Sequence, residues 1–395
     1  MNLAALNAKA GLTAHARSKT VIASAALLAG LTAVSACTSK SDENKSASGE
    51  ITVTASDDAC KLSATSAKTG ASTFVITNNG TKVTEFYVYG PGDKVMGEIE
   101  NISPGLQRKL IVQLPEAGTY KTACKPGMVG DGIRGDFTVS GDTVKIDDTG
   151  KFKDAADFYK KYVIAQTSDL VPATEAFAAA VKKGDVAGAK ALYPKARTYY
   201  ERIEPVAESF PNDLDPRIDL READVKPGDK WTGFHRLEKE LWVTGLQPDS
   251  GAVADQLVAD VKELDAGVKD PKWTIDSTKI AGGAQGLLDE IAKTKISGEE
   301  DIFSHTDLWD FQANVDGSRT AVGSVDPILD ERDPNLGKDV DAAFDKVQKL
   351  LDKYRQGDGF VSYDKVTEPE RQELSQAIDA LSKEVSEVQG VVAKQ

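Results

Sequence analysis

The sequence predicts a multidomain chain: an all-β Greek-key sandwich over residues 50–148, followed by an all-α helical-bundle domain over residues 151–395. Three observations predict this. Apolar residues alternate with period two from Glu50 onward, as in half-buried strands. The period changes to that of a helix near Gly150. Turn signals such as Asn78-Asn79-Gly80, Gly90-Pro91-Gly92 and Pro104-Gly105 cut the first part into short runs. A chain of 395 residues is long enough for two or three domains with cores of their own.

The first segment reads as a leader rather than as fold. Lys9, Arg17 and Lys19 form a positive n-region, and an apolar run from Val21 to Val34 follows, short for a membrane span. It ends Val34-Ser35-Ala36-Cys37, which resembles a bacterial lipobox cleaved after residue 36, with Cys37 acylated. An ordinary small-residue cleavage site with an incidental cysteine is the bland alternative. The lipobox leads, because the cysteine holds the one position that matters and a polar stretch follows. Residues 37–49 read as a disordered tether, rich in Ser, Lys and Asp, that holds the protein off the membrane. The address is then the extracytoplasmic face of a cell membrane, with a lipid anchor.

The net charge is −14, and the leader contributes only cations, so the remainder is more acidic still. No nucleic-acid partner is expected of such a surface, since phosphates need basic residues. Cations or basic partners fit it.

In the first domain, strands are expected at Ile51–Thr54, Ser72–Thr77, Glu85–Tyr89, Gln107–Leu114, Gly118–Ala123, Gly135–Ser140 and Thr143–Ile146. Seven or so short strands in about a hundred residues make a Greek-key sandwich. The stretches FVITNNGTKVTEFYVYG, ENISPGLQRKLIVQLPEAGTYKTACKPGM and GDFTV resemble a cupredoxin domain. Copper cupredoxins need histidines that this domain lacks: Glu85 stands where the first would be, and Pro126 and Gly127 occupy the region of the second. A blue-copper site is therefore not expected. Cys60, Glu85 and Cys124, with Glu98, Glu100 and Asp131, remain as ligands for iron or copper. Two extracytoplasmic cysteines can equally form one disulfide.

In the second domain, helices are expected at 153–183, 185–209, 230–244, 250–268, 277–294, 301–315, 336–356 and 368–393, in two packed bundles. Breakers fall at Gly184, Pro211 to Pro216, Pro227-Gly228, Pro248, Pro271, Gly317 and Pro327. One stretch carries most of the chemistry. His235 and Glu238, three apart, leave one face of a helix about one turn apart. An imidazole and a carboxylate so placed make half of a metal site or an acid/base pair. A lone buried histidine is more often a satisfied core residue, but the scarcity of histidines and the nearby Glu238 favour a ligand. Bundles build metal sites from such pairs on facing helices, which brings in Glu201 and Glu204. His305 and Asp307, at an expected helix start, are further ligand candidates or simple capping residues. Neither His-Glu-x-x-His nor His-x-x-Glu-His is complete, so zinc hydrolysis is not supported.

Gly233-Phe234-His235-Arg236-Leu237-Glu238 matches the Gly-x-His-x-x-Glu signature of imelysin-like proteins. Lys295 to Gly317, KISGEEDIFSHTDLWDFQANVDG, is similar to a long signature of the EfeO-type iron-uptake components, which also share the cupredoxin-then-imelysin order. The resemblance implies an iron-binding component that serves an EfeU-type permease alongside an EfeB-type haem peroxidase. It also implies His235 and Glu238 as metal ligands. Iron is the implied cargo, with copper or zinc as alternatives. A ferroxidase in the first domain and, behind it, an imelysin-type metallopeptidase are the enzyme readings.

Overall fold

The computed structural model describes residues 50–128, 130–145, 150–210, 214–228 and 230–393. The leader, Cys37 and the tether lie outside the described residues. The described residues of the first domain form nine short strands: β1 (Ile51–Ala55), β2 (Cys60–Leu62), β3 (Ser66–Lys68), β4 (Gly70–Asn78), β5 (Thr84–Tyr89), β6 (Val95–Ile102), β7 (Gln107–Leu114), β8 (Gly118–Pro126) and β9 (Ile133–Ser140). They pair as two sheets, in the orders β2-β1-β4-β7 and β3-β9-β8-β5-β6. Alternation decides the inward face: Ile51, Val53 and Ala55 of β1 are buried, with Thr52 and Thr54 exposed between them. Phe74 sits in the middle of the sandwich, its ring centroid 5.3 Å from Phe86 and 5.5 Å from Phe137.

Three of these strands, β2, β3 and β6, were not expected. β6 carries Glu98 and Glu100, so its sequence does not read as apolar alternation. Thr143–Lys145, expected as a strand, is irregular, and Ile146 lies outside the described residues.

Cys60 on β2 and Cys124 on β8 are joined by a disulfide, with Cα atoms 5.5 Å apart. It ties one sheet to the other. This corrects the expectation of thiolate ligands: in a disulfide neither sulfur carries the negative charge that binds a metal.

The second domain has ten α-helices among the described residues: α1 (Gly150–Lys183), α2 (Val186–Glu201), α3 (Glu204–Glu208), α4 (Leu214–Asp219), α5 (Gly233–Lys239), α6 (Ser250–Lys269), α7 (Ser277–Glu290), α8 (Asp307–Arg332), α9 (Pro334–Leu351) and α10 (Glu368–Ala393). A small hairpin, β10 (Arg355–Gln356) and β11 (Gly359–Phe360), precedes α10. The buried apolar side chains of the helices form one continuous core rather than two bundles. Pro205 starts α3 and divides the helix expected over 185–209. Gly317 and Pro327, expected as breakers, both lie inside α8. A Cβ on Gly317 would meet the Arg202 carbonyl oxygen at 2.3 Å, so that glycine lets α8 press against the break between α2 and α3.

Two helices end in a π-helical turn: α5 runs into Glu240–Thr244 and α7 into Ile291–Lys295. Such turns are rare, occur mostly as single insertions in α-helices and are frequent at functional sites. The sandwich rests on α7 and α10. Gln389 accepts from the Ile111 amide at 3.2 Å and donates to its carbonyl at 3.2 Å, covering the exposed edge of β7. Lys279 Nζ donates to the Val95 carbonyl at 2.8 Å. No helix among the described residues is long and apolar enough to cross a membrane.

Candidate metal centre

Five segments converge on His235. α2 carries Tyr193, Arg197 and Glu201 at four-residue steps, so the three share one face. α4 ends on Asp219, and α5 carries His235 and Glu238. The loop 296–306 supplies Glu300 and Asp301, and the first turn of α8 supplies Asp307 and Asp310. The start of α5 is fixed by Gly233, whose φ is +88° and whose Cβ, if present, would lie 2.2 Å from the Ile218 carbonyl oxygen. Only glycine allows α5 to begin against the end of α4. Thr232 Oγ1 donates to the Arg217 carbonyl at 3.0 Å and Trp231 Nε1 to that of Leu220 at 2.6 Å, which locks the approach. His235 is thereby held opposite Asp219.

The imidazole is 1% exposed. Its Nδ1 lies 3.1 Å from Glu238 Oε2. The other oxygen of Glu238 accepts from the backbone N–H groups of Phe303 and Ser304, at 3.0 and 2.7 Å. Nε2 is different. It lies 3.5 Å from Asp219 Oδ1 and 3.4 Å from Glu300 Oε1, and has no hydrogen-bond partner among the described residues. Asp301 stands on the Nδ1 side at 4.0 Å and accepts from the Tyr193 hydroxyl at 2.9 Å. Among the described residues, two triads could each converge on one ion, Asp219–His235–Glu300 and His235–Glu238–Asp301, and both contain His235.

Around this core the charge is unbalanced. Eight buried carboxylates (Glu201, Glu204, Asp219, Glu238, Glu300, Asp301, Asp307 and Asp310) face two permanent buried cations, Arg197 and Lys295. Arg197 reaches Asp310 at 3.0 Å and Glu300 at 3.2 Å, and pairs with Glu201 and Asp219. Lys295 lies among Glu201, Glu204 and Glu300. Burial disfavours charge on acids so crowded. Burial pushes Glu201 up to about 7 against the pull of Lys295 and Arg197. Burial and the Asp301 charge push Asp307 up to about 8. Burial likewise holds Glu204 and Asp310 well above the carboxylate range. Glu300 goes the other way: Lys295, His235 and Arg197 overcome its burial and hold it well below that range. Burial and the Arg197 charge act to lower His235, but Asp219, Glu238 and Glu300 outweigh them and raise it to about 10. The acids that favour a proton on the imidazole would equally favour the positive charge of a metal ion.

A sequence model of the family described as imelysin matches residues 155–388, and one described as a cupredoxin-like domain matches residues 24–139. The protein named "Iron uptake system component EfeO" in Escherichia coli (strain K12) is 41% identical over 350 residues, 87% of this chain and 91% of that protein. The chain belongs to the EfeO family. The Shigella flexneri protein of the same name gives the same figures for identity and coverage. Among solved structures, reduced auracyanin from Roseiflexus castenholzii aligns with 24% of this chain and 99% of its own, at 18% identity and a TM-score of 0.20.

For this EfeO-family chain, the fold brings together His235, Glu238, Glu201 and Glu204, the last two by way of Lys295. Asp307 stands at the edge, its Oδ1 accepting from the Asp301 amide at 3.2 Å. His305 does not join. Its backbone is left-handed at φ +58° and its side chain is exposed, which corrects its reading as a ligand. Glu85 lies in the other domain, buried on the outer face of β5 with Lys125 Nζ 3.4 Å away. It neighbours Glu100, which accepts from the Tyr87 hydroxyl at 2.7 Å, and Glu98, which burial pushes up to about 7. Sequence reasoning missed Asp219, Glu300 and Asp301 as site residues, and Arg197 and Lys295 as their counter-ions. Four of these had a signal: Lys295, Glu300 and Asp301 fall inside the long Lys295–Gly317 signature, and Arg197 lies four residues before Glu201. Asp219 had none, because α4 begins inside the Pro211-to-Pro216 stretch, which reads as loop.

Proposed function

We propose that this chain is the extracytoplasmic iron-binding component of an EfeUOB-type uptake system, and that it captures iron at His235 in the helical domain. The observation that carries the proposal is the Nε2 atom of His235: a buried nitrogen without a hydrogen bond among the described residues, between the Asp219 and Glu300 carboxylates at 3.5 and 3.4 Å. The ion is assigned to this side of the ring. A buried polar atom left unpaired is costly unless a ligand completes it. Carboxylate oxygens with one imidazole are donors suited to iron. Glu238 then acts from the other side of the ring. Held by two backbone N–H groups, it fixes Nδ1 and so aims Nε2, in the manner of carboxylate–histidine–metal arrangements.

The relatives that match 87% of this chain are named as a component of an iron uptake system, which supports the same role here. Delivery to an EfeU-type permease, action beside an EfeB-type haem peroxidase and anchoring through acylated Cys37 complete the proposal. The disulfide leaves thiolate chemistry in the sandwich out of it.

The test is anaerobic titration of Fe(II), and titration of chelated Fe(III), into the wild type and two variants. His235→Ala is expected to abolish measurable high-affinity binding. Glu238→Gln, which keeps the shape, is expected to weaken it by about 10- to 100-fold. Wild-type affinity in His235→Ala rules out this site.

A further inference from the structure

Two cations are buried in the acidic nest, and they are held very differently. Arg197 makes directed hydrogen bonds through Nε and both terminal nitrogens. Lys295, at the end of the π-helical turn Ile291–Lys295, is 0% exposed and makes no hydrogen bond among the described residues. Its ammonium lies 3.3 Å from Glu201 Oε2, 3.6 Å from Glu300 Oε1 and 3.7 Å from Glu204 Oε2. Charge-assisted N–H···O bonds are normally about 2.7–2.9 Å long. The ammonium therefore occupies an oxygen cage wider than it needs, touching every wall weakly. Glu204 Oε2 is itself buried without a hydrogen-bond partner among the described residues. The cage also adjoins the metal side of the imidazole, because Glu300 Oε1 is shared: it lies 3.4 Å from His235 Nε2 and 3.6 Å from Lys295 Nζ, and accepts from Arg197, which is fixed by its other carboxylates, at 3.2 Å.

We propose that Lys295 is a tethered cation that competes with the incoming ion for Glu300, and so sets the charge an ion needs in order to be captured. The proposal rests on the reading of His235 as the iron site. An ion that takes His235 Nε2 and Glu300 Oε1 removes one of the acids that hold the ammonium. Coulomb attraction scales with the product of the charges, so a divalent or trivalent ion outcompetes the ammonium and a monovalent ion does not. The flexible four-carbon stem lets the ammonium withdraw toward Glu201 and Glu204 while the ion is bound. When the ion leaves, Lys295 re-pairs with Glu300. Its return opposes rebinding and keeps the ion exchangeable, as a component that hands its cargo on requires.

The experiment compares full-length wild type, Lys295→Met and Lys295→Gln by calorimetric titration with Zn(II), a redox-inert probe, and with Fe(II). The account expects both variants to bind at least about tenfold tighter than wild type and to release Zn(II) to a chelator more slowly. Unchanged or weaker binding in a folded variant overturns it. A zinc-loaded crystal structure of the wild type tests the same point without any variant: Lys295 Nζ should move beyond about 4 Å from Glu300 Oε1, outside ion-pair range. An ammonium that keeps its ion-free distance overturns the proposal. His235→Ala separates the two levels. Binding that survives it removes the iron-site reading itself. Binding lost in His235→Ala but unchanged in Lys295→Met removes only the role of Lys295.

Discussion

Arg197→Met is the perturbation that bears most directly on how the fold tolerates its buried acids. The guanidinium is 0% exposed and lies within ion-pair distance of Glu201, Asp219, Glu300, Asp301 and Asp310. Methionine keeps the aliphatic stem, so packing beside Tyr193 and Phe234 is largely retained and the charge is what is lost. Removing one partner of a buried pair typically costs about 3–5 kcal/mol, because the other charge stays buried and unpaired. The protein can limit that cost by taking up a proton on one of the orphaned acids. Glu201, which burial pushes up to about 7 against the pull of Lys295 and Arg197, is the first candidate, because losing Arg197 raises it further. The folded variant then binds more protons than its unfolded chain, so its stability falls as pH rises. One proton is worth about 1.4 kcal/mol per pH unit, which makes about 3 kcal/mol over two units. Urea unfolding followed by far-UV circular dichroism, in chelator, at pH near 7.5 and near 5.5, reads both effects. We expect a loss of about 3–5 kcal/mol at the higher pH and clearly less at the lower. A loss below about 1 kcal/mol at pH 7.5, or one of equal size at both, would show that Arg197 is not the counter-ion of this nest.

Two further outcomes follow from the same geometry. Replacing Cys60 and Cys124 by serine opens a loop of sequence separation 64, which chain entropy values at about 4 kcal/mol of sandwich stability. Iron affinity should be unchanged, and a large fall in it would return the sulfurs to the metal site. Binding should also be pH-dependent, since an ion at Nε2 replaces a proton that His235 holds up to about 10. Affinity for Fe(II) should therefore rise about tenfold per pH unit between pH 6 and 8, with proton release seen as buffer-dependent binding heat; a flat profile contradicts this.

Much of the fold was legible because the two periods differ so plainly. Alternation in Ile51–Ala55 and the 3.6-residue repeat of α1 and α10 depend on local sequence alone. β6 was not legible, because Glu98 and Glu100 occupy strand positions whose burial comes from the neighbouring domain. The α2–α3 break and the continuity of α8 through Gly317 and Pro327 are tertiary facts: one glycine makes room for the Arg202 carbonyl, and packing outweighs one proline. Of the site, the His235–Glu238 pair could be read because both residues lie on a single helix turn. Asp219 and Glu300 could not, because they reach Nε2 from segments 16 and 65 residues away along the chain. His305 shows the converse error: a ligand residue type in a suggestive stretch, turned outward by a left-handed backbone.

The most direct test of the account is a crystal structure of the iron-loaded full-length protein, with anomalous scattering recorded on both sides of the iron edge. The account predicts one dominant iron peak within coordination distance of His235 Nε2, with Asp219 and Glu300 oxygens beside it and Glu238 still holding Nδ1. An iron peak at Glu85, Glu98 and Glu100 in the sandwich, with none near His235, would contradict it.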